Sequence, residues 1–208
     1  MTSTAVYFDF LCPYAWRGLE LADVLRREHG LTFVLRHFSL VQGNHPDNAQ
    51  SRHVPVWWLT DQGAGEGSEA QAGSLRAFLA DQAAARQGED ARWAFALALL
   101  RARHQDRAEL TPDTLRAAAG QAGLDLSRFE ADLQDDAARR AELRDDLAAA
   151  AELGVFGTPT FVLPEGHAAY FRFANLVPAG QALETWKLYV SVLESGARIE
   201  TIKRAKRA

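Results

Sequence analysis

The chain has 208 residues, a formal net charge of −4, 48% apolar residues and five tryptophans. That is enough for one domain with an elaboration, or two closely packed ones, around a real core. The charge gives no reason to expect nucleic acid as a partner, and the single cysteine excludes an intramolecular disulfide and an all-cysteine zinc site. Met1 to Val6 leads almost at once into apolar residues, so no signal peptide is visible, and no apolar run is long enough to span a membrane. A cytoplasmic location is expected, where a lone thiol stays reduced.

In chain order, Val6, Tyr7 and Phe8 read as a buried strand, and Gly18 to Glu28 as an amphipathic helix with Leu21 and Leu25 on one face. Cys12 falls at the junction, near the N-cap, and Pro13 suits the first helical position. Gly30 fits a C-cap. Leu31 to Leu40 reads as a second strand, with Phe33, Leu35 and His37 alternating against Thr32, Val34 and Arg36. Strand, helix, strand implies a parallel, right-handed crossover.

Gln42 to Asn48 is rich in turn formers. Val54 to Leu59 is an apolar patch that leaves room for a homodimer, and its two tryptophans suit either a substrate cleft or packing on the core. The glycine-rich Gly63 to Gly67 reads as a flexible segment over the active site. His37, His45 and His53 recur every eight residues without helical phase or a carboxylate pattern, so no metal site is expected.

Residues 68–153 carry a helical pattern. Ser68 to Gln71 fits a capping box before Leu75, Phe78 and Leu79. Glu89 to Arg107 places Trp93, Leu97 and Leu100 on one stripe. Thr111-Pro112 is an N-cap followed by proline, Ser127 to Glu130 reads as a second capping box, and Gly154 ends an alanine-rich helix from Asp136 to Leu153. The charged residues of this region are expected on solvated faces. Next, Gly154 to Leu163 reads as a glycine-punctuated turn and a short strand opening with Pro159. Tyr170 to Phe173 reads as an antiparallel strand, and Gly180 to Glu194 as a last helix with Leu183, Trp186, Leu188 and Val190 apolar. The basic tail Lys203 to Arg207 reads as solvated.

Cys12 carries the chemistry. A lone cysteine is ordinarily a small buried apolar residue. Cys-Pro at a strand-to-helix junction favours a functional thiol instead, because the first-turn N–H groups and the helix dipole favour thiolate over thiol. Asp9, three residues earlier, fits a buried proton acceptor or a helix-start acid equally well.

The stretch Asp9-Phe10-Leu11-Cys12-Pro13-Tyr14-Ala15-Trp16 resembles the active-site motif of the DsbA-like branch of the thioredoxin superfamily. That branch holds DsbA-type oxidoreductases, kappa-class glutathione transferases and 2-hydroxychromene-2-carboxylate isomerases. Its members commonly show Cys-Pro-x-Cys or Ser-Pro-Tyr here. This chain departs from both, with alanine in place of the second, resolving cysteine. Gly157-Thr158-Pro159 resembles the cis-proline loop that faces the active-site cysteine.

The resemblance implies an α/β thioredoxin-like fold with a large all-helical insertion. Residues 1–42 and 154–208 would form a discontinuous thioredoxin-like domain, and 43–153 the inserted helical subdomain. It implies Cys12 as nucleophile and Pro13, Tyr14, Trp16, Thr158 and Pro159 as the substrate or thiol seat. It implies a small thiol or a disulfide-containing substrate as partner, no tightly bound cofactor, and glutathione or another low-molecular-weight thiol as co-substrate. Because Ala15 cannot resolve a mixed disulfide, the expected function is a monothiol oxidoreductase resolved from outside. The alternatives are a glutathione-dependent transferase or isomerase, and a non-catalytic binding protein of the same fold.

Overall fold

A computed structural model describes residues 3–51, 53–63 and 66–202. Among these, β1 (Thr4–Phe8), β2 (Phe33–His37), β3 (Thr160–Val162) and β4 (Ala168–Tyr170) form one sheet in the order β2-β1-β3-β4. β1 and β2 are parallel, with Val6 opposite Leu35 and Phe8 opposite His37. β3 runs antiparallel to both β1 and β4. The chain between β1 and β2 is helix α1 (Pro13–His29), closed by Gly30 at φ 67°, a left-handed conformation that costs glycine nothing.

The remaining helices are α2 (Leu40–Gly43), α3 (Glu69–Ala85), α4 (Glu89–His104), α5 (Pro112–Gln121), α6 (Leu126–Gln134), α7 (Asp136–Glu152) and α8 (Ala182–Leu193). The Ser68–Gln71 capping box is present on α3, and Thr111 caps α5 ahead of Pro112. Ser127 is not a cap. Asp125 takes that place, its carboxylate accepting from the Arg128 N–H at 3.0 Å, and α6 starts one residue before Ser127. Of the residues expected as a strand from Tyr170 to Phe173 only Tyr170 belongs to β4, which lies earlier, although the Phe171 N–H still donates to the Pro159 carbonyl at 3.1 Å.

Alternation along β1 divides the core. Val6 and Phe8 join the main cluster with Phe33, Leu35, Leu19, Phe78 and Phe161, while Tyr7 meets Ala150, Val155 and Val162 on the other side. Each large apolar side chain removed from water contributes about 1.5–3 kcal/mol. In α8, Trp186 and Tyr189 are buried, whereas Leu188, expected inside, is 60% exposed. Tyr189 earns its place through its hydroxyl, which donates to the Phe161 carbonyl at 2.6 Å and accepts from the Ala169 N–H at 3.2 Å. This polar handle is invisible to a count of apolar spacing.

Buried Asn48 ties Gln42 to Val56 and Trp57. Its amide nitrogen donates to the Gln42 and Trp57 carbonyls (2.9 and 2.8 Å), and its oxygen accepts from Val56 and Trp57 N–H. Trp57 stacks on His45 at 4.0 Å, and the Arg144 guanidinium lies 3.7 Å from the Trp58 ring, so the tryptophans pack. Val54 and Val56 remain exposed. The Gly63–Gly67 reading includes residues 64 and 65, and the basic tail begins at 203; both lie outside the described residues.

The expectation of solvated charges fails at Arg139 of α7, which is buried, and at one cluster. Asp81 (α3), Arg92 (α4) and Asp146 (α7) are buried around His37 at the end of β2. His37 Nε2 lies 2.9 Å from Asp81 Oδ2, and Nδ1 lies 3.2 Å from Asp146 Oδ2. Arg92 Nε donates to Asp81 at 2.7 Å and its Nη1 to the Leu35 carbonyl at 3.1 Å. His45 and His53 are elsewhere, so the eightfold spacing brings the three histidines to no common site. Burial alone would lower His37 and raise Asp146. The carboxylate bonds outweigh it for His37, which titrates above its ordinary value, and the His37 and Arg36 bonds hold Asp146 at about 2.

Asp81→Asn leaves the buried Arg92 and His37 charges short of a counterion, and should cost about 3–5 kcal/mol in urea unfolding at pH 6. The His37 share of stability is complete below its unfolded value of about 6.5 and is lost as pH rises through its raised folded value. The gap between wild type and Asp81→Asn should therefore narrow toward alkaline pH. A variant within 1 kcal/mol (roughly, the level of a surface change) of wild type would contradict this account.

Candidate active site

Cys12 is the N-cap of α1, extended at φ −99° and ψ 114°, with Pro13 in the first helical position. Its backbone N–H donates to the Asp9 carbonyl at 3.1 Å, and its carbonyl accepts from Trp16 N–H at 3.2 Å. An N-cap side chain usually serves the helix, but this one does not. Its Sγ instead donates to the Thr158 carbonyl, 146 residues away, at 3.3 Å. The thiol is 5% exposed. The Thr158–Pro159 peptide bond is cis. Cys12, Thr158 and Pro159 are thus brought together.

That approach depends on Gly18. A Cβ built on Gly18 would lie 2.6 Å from Pro159 Cγ and 2.8 Å from Pro159 Cβ. Glycine inside a helix costs about 1 kcal/mol against alanine, and a glycine on the buried face of an otherwise sound helix marks a close neighbour. The sequence thus marks Gly18 as a point of close packing, without naming the segment packed on it.

Asp9 fastens the loop beneath the thiol. Its side chain is fully buried, Oδ1 accepting from Leu11 N–H and Oδ2 from Leu40 N–H, both at 2.7 Å. It therefore ties the Cys12 turn to the start of α2. Burial pushes its carboxyl up to about 6, against the downward pull of the two backbone bonds and the His37 charge.

Pro13 is exposed; Tyr14 and Trp16 are half-buried and point to different partners. Trp16 Nε1 donates to Glu20 at 2.9 Å, and its ring stacks on His104. Glu20 is held by Arg101 of α4 through bonds of 2.6 and 2.7 Å. His104 Nε2 donates to the Phe10 carbonyl at 2.9 Å, and burial lowers its pKa despite that bond. Sequence reading missed His104, which comes from α4 and has no signal near Cys12. Tyr14 faces the Arg17 and Arg172 guanidinium carbons, 5.4 and 4.7 Å from its ring centre. Ala15, one turn on from Cys12, is fully buried. Among the described residues no group of histidine, cysteine and carboxylate side chains is arranged to hold a metal.

The family model described as DSBA-like thioredoxin domain matches residues 5–179. A curated relative, the ClpXP adapter protein SpxH of Shouchella clausii (strain KSM-K16), is 28% identical over 202 residues. That match takes in 90% of this chain and 64% of the relative, so the chain spans just under two thirds of the relative's length. Among solved structures, a probable DsbA oxidoreductase from Streptomyces coelicolor superposes with a TM-score of 0.61 at 20% identity, covering 99% of this chain and 94% of that one. A 2-hydroxychromene-2-carboxylate isomerase gives 0.59 at 17% identity, with 95% and 99% covered. The cytosolic disulfide reductase DsbM of Pseudomonas aeruginosa, solved with GSH, gives 0.57 at 20% identity, with 91% and 97% covered. At such identities the likeness is one of fold.

Two substitutions test this geometry. Gly18→Ala should lose about 1–3 kcal/mol in urea unfolding although alanine is the better helix former, because the methyl meets Pro159; a gain in stability would contradict the contact. For Asp9, a carboxyl raised in the folded state contributes stability that is complete below its unfolded value of about 3.9 and lost as pH rises through about 6. Asp9→Asn abolishes that titration. The stability difference, wild type minus variant, should fall between about pH 4 and 6 and level off above it. A flat difference would contradict the placement.

Proposed function

The chain belongs to the family of the DSBA-like thioredoxin domain, and on that premise we propose that it is a thiol-dependent oxidoreductase working through Cys12 alone. The observation that carries the reading is one juxtaposition. The chain's single cysteine caps α1 against the Thr158 carbonyl, beside Pro159, with buried Ala15 one turn on. Residues 1–42 and 154–208 then form the thioredoxin-like unit, and 43–153 the inserted helical subdomain.

In the first step the Cys12 sulfur, its proton given to solvent, attacks one sulfur of a disulfide. A Cys12 mixed disulfide forms, and the other sulfur leaves as a thiolate. The unpaired N–H groups of the first turn stabilise negative charge on the Cys12 sulfur as it attacks and again as it leaves. Thr158 and Pro159 seat the partner, and Pro13, Tyr14 and Trp16 shape the entrance. Ala15 supplies no second thiol. Release therefore needs an outside thiol, glutathione or another small one, whose thiolate attacks the mixed disulfide and frees Cys12. A cytoplasmic setting, which would supply such a thiol, is part of the proposal; the neighbour DsbM is described as cytosolic.

A second reading rests on the curated relative, named an adapter: a protein-binding module in which Cys12 holds a partner without turnover. A glutathione-dependent transferase or isomerase is the third, supported by the fold shared with the isomerase.

The test is the lifetime of a Cys12–glutathione mixed disulfide. In the wild type it should persist without added thiol and decay at a rate proportional to added thiol. In Ala15→Cys, an internal thiol one turn away should speed unaided decay by ~100-fold or more, since an intramolecular nucleophile acts at high effective concentration. Rapid unaided decay in the wild type would overturn the single-thiol mechanism. Turnover of an aryl halide with glutathione, with no mixed disulfide formed, would move the assignment to a transferase. A protein partner held by the wild type and lost in Cys12→Ser, with neither chemistry present, would favour the adapter.

A further inference from the structure

Arg172 lies two residues beyond Tyr170, the end of β4, and is exposed. Its guanidinium carbon is 4.7 Å from the centre of the Tyr14 ring, two residues from Cys12. Arg17, on the next turn of α1, also faces that ring at 5.4 Å, and its Nη1 donates to the Phe173 carbonyl at 3.0 Å. Neither guanidinium pairs with a carboxylate among the described residues. Elsewhere the pattern differs: Arg36, Arg92, Arg101 and Arg144 all have acidic partners.

A third group ties the arginines to the thiol. The Tyr170 hydroxyl titrates above its ordinary value because burial raises it, while the Arg172 charge pulls it down and Cys12 and Tyr14 push it up. Arg172, Tyr170, Tyr14 and Cys12 therefore share one electrostatic neighbourhood. Thr158, whose carbonyl accepts from Cys12, also keeps a buried hydroxyl without a hydrogen-bond partner. Two cations held against one aromatic ring two residues from the reactive sulfur, neither paired with a carboxylate among the described residues, form a seat for an anion that arrives attached to a sulfur.

We infer that Arg172, supported by Arg17 on the Tyr14 ring, is a specificity-determining subsite that selects small thiols and disulfides bearing a carboxylate over neutral or cationic ones. The inference deepens the oxidoreductase reading and rests on it for the covalent step. In that step Cys12 and a symmetrical disulfide give a Cys12 mixed disulfide and one free thiol. The disulfide is the oxidant, and the Cys12 proton passes to solvent and from there to the leaving thiolate. The carboxylate stays bound to guanidinium while the S–S bond is exchanged. Arg fits this role better than Lys, because its fork grips both carboxylate oxygens and its plane stacks on the ring.

The test compares three disulfides of different charge, each rate divided by that probe's rate with a free small thiol to remove leaving-group differences: glutathione disulfide, bis(2-hydroxyethyl) disulfide and cystamine. Formation of the Cys12 adduct is followed by intact mass. In the wild type the carboxylate-bearing probe should react fastest and cystamine slowest. Arg172→Met should slow the glutathione disulfide reaction about tenfold, the loss expected for one charge-assisted hydrogen bond, and leave the bis(2-hydroxyethyl) rate unchanged. Arg172→Lys should recover only part of the loss. Equal slowing of all probes, or slowing of none, would overturn the subsite.

A second readout does not need the covalent chemistry. Binding of S-methylglutathione, which cannot exchange, should weaken about tenfold in Arg172→Met. Equal binding by both proteins would overturn the subsite even if Cys12 reacts. Weakened binding with an inert Cys12 would uphold the subsite and sink the oxidoreductase reading instead.

Discussion

Helix α1 and the loop carrying Pro159 lie closer together than any side chain at residue 18 would permit. A methyl group there would sit well inside van der Waals contact distance of the proline ring. The site follows from this missing atom. With the helix pressed on the loop, its first residues meet Thr158, and the Cys12 sulfur finds a backbone carbonyl instead of capping its own helix. The helix gives up about 1 kcal/mol of propensity for glycine in exchange for that contact. The sheet supplies the rest: β1 delivers Cys12, and β3, paired antiparallel beside it, begins just after Pro159.

A second constraint keys the helical segment to this frame. His37 at the end of β2 gathers one carboxylate from α3, a second from α7 and a guanidinium from α4. Such a buried cluster is weak as a source of net stability, because each charge must be stripped of water. Its directional bonds do fix how three helices sit on the sheet. The His37 charge also acts on Asp9, whose carboxylate holds the turn under Cys12. Together with the His104 bond to the Phe10 carbonyl, this joins the helical segment to the thiol from two sides.

The sequence made the frame legible and much of the site with it. Cys12-Pro13 announced a helix start, Gly30 its end, and Ser68 and Thr111 their caps, because these signals act within a few residues. Pro159 was legible as a strand opener, and its place opposite Cys12 came only from likeness to a family. Contacts between distant residues were silent. Asp81, Arg92 and Asp146 read as ordinary surface charges of amphipathic helices, and no local pattern told them from the exposed ones. Tyr189 looked less apolar than Leu188 and is buried because its hydroxyl meets the sheet. Ser127 fitted a capping box, yet Asp125, two residues earlier, won the position.

The central claim is that Cys12 acts as a lone thiol and depends on an outside partner for release. The most direct measurement is the intact mass of protein rapidly alkylated in cells during disulfide stress, beside Cys12→Ser. The expected result is a disulfide-linked adduct on Cys12, removed by reductant and absent from the variant. A Cys12 that carries only the alkylating reagent before, during and after stress would contradict the account.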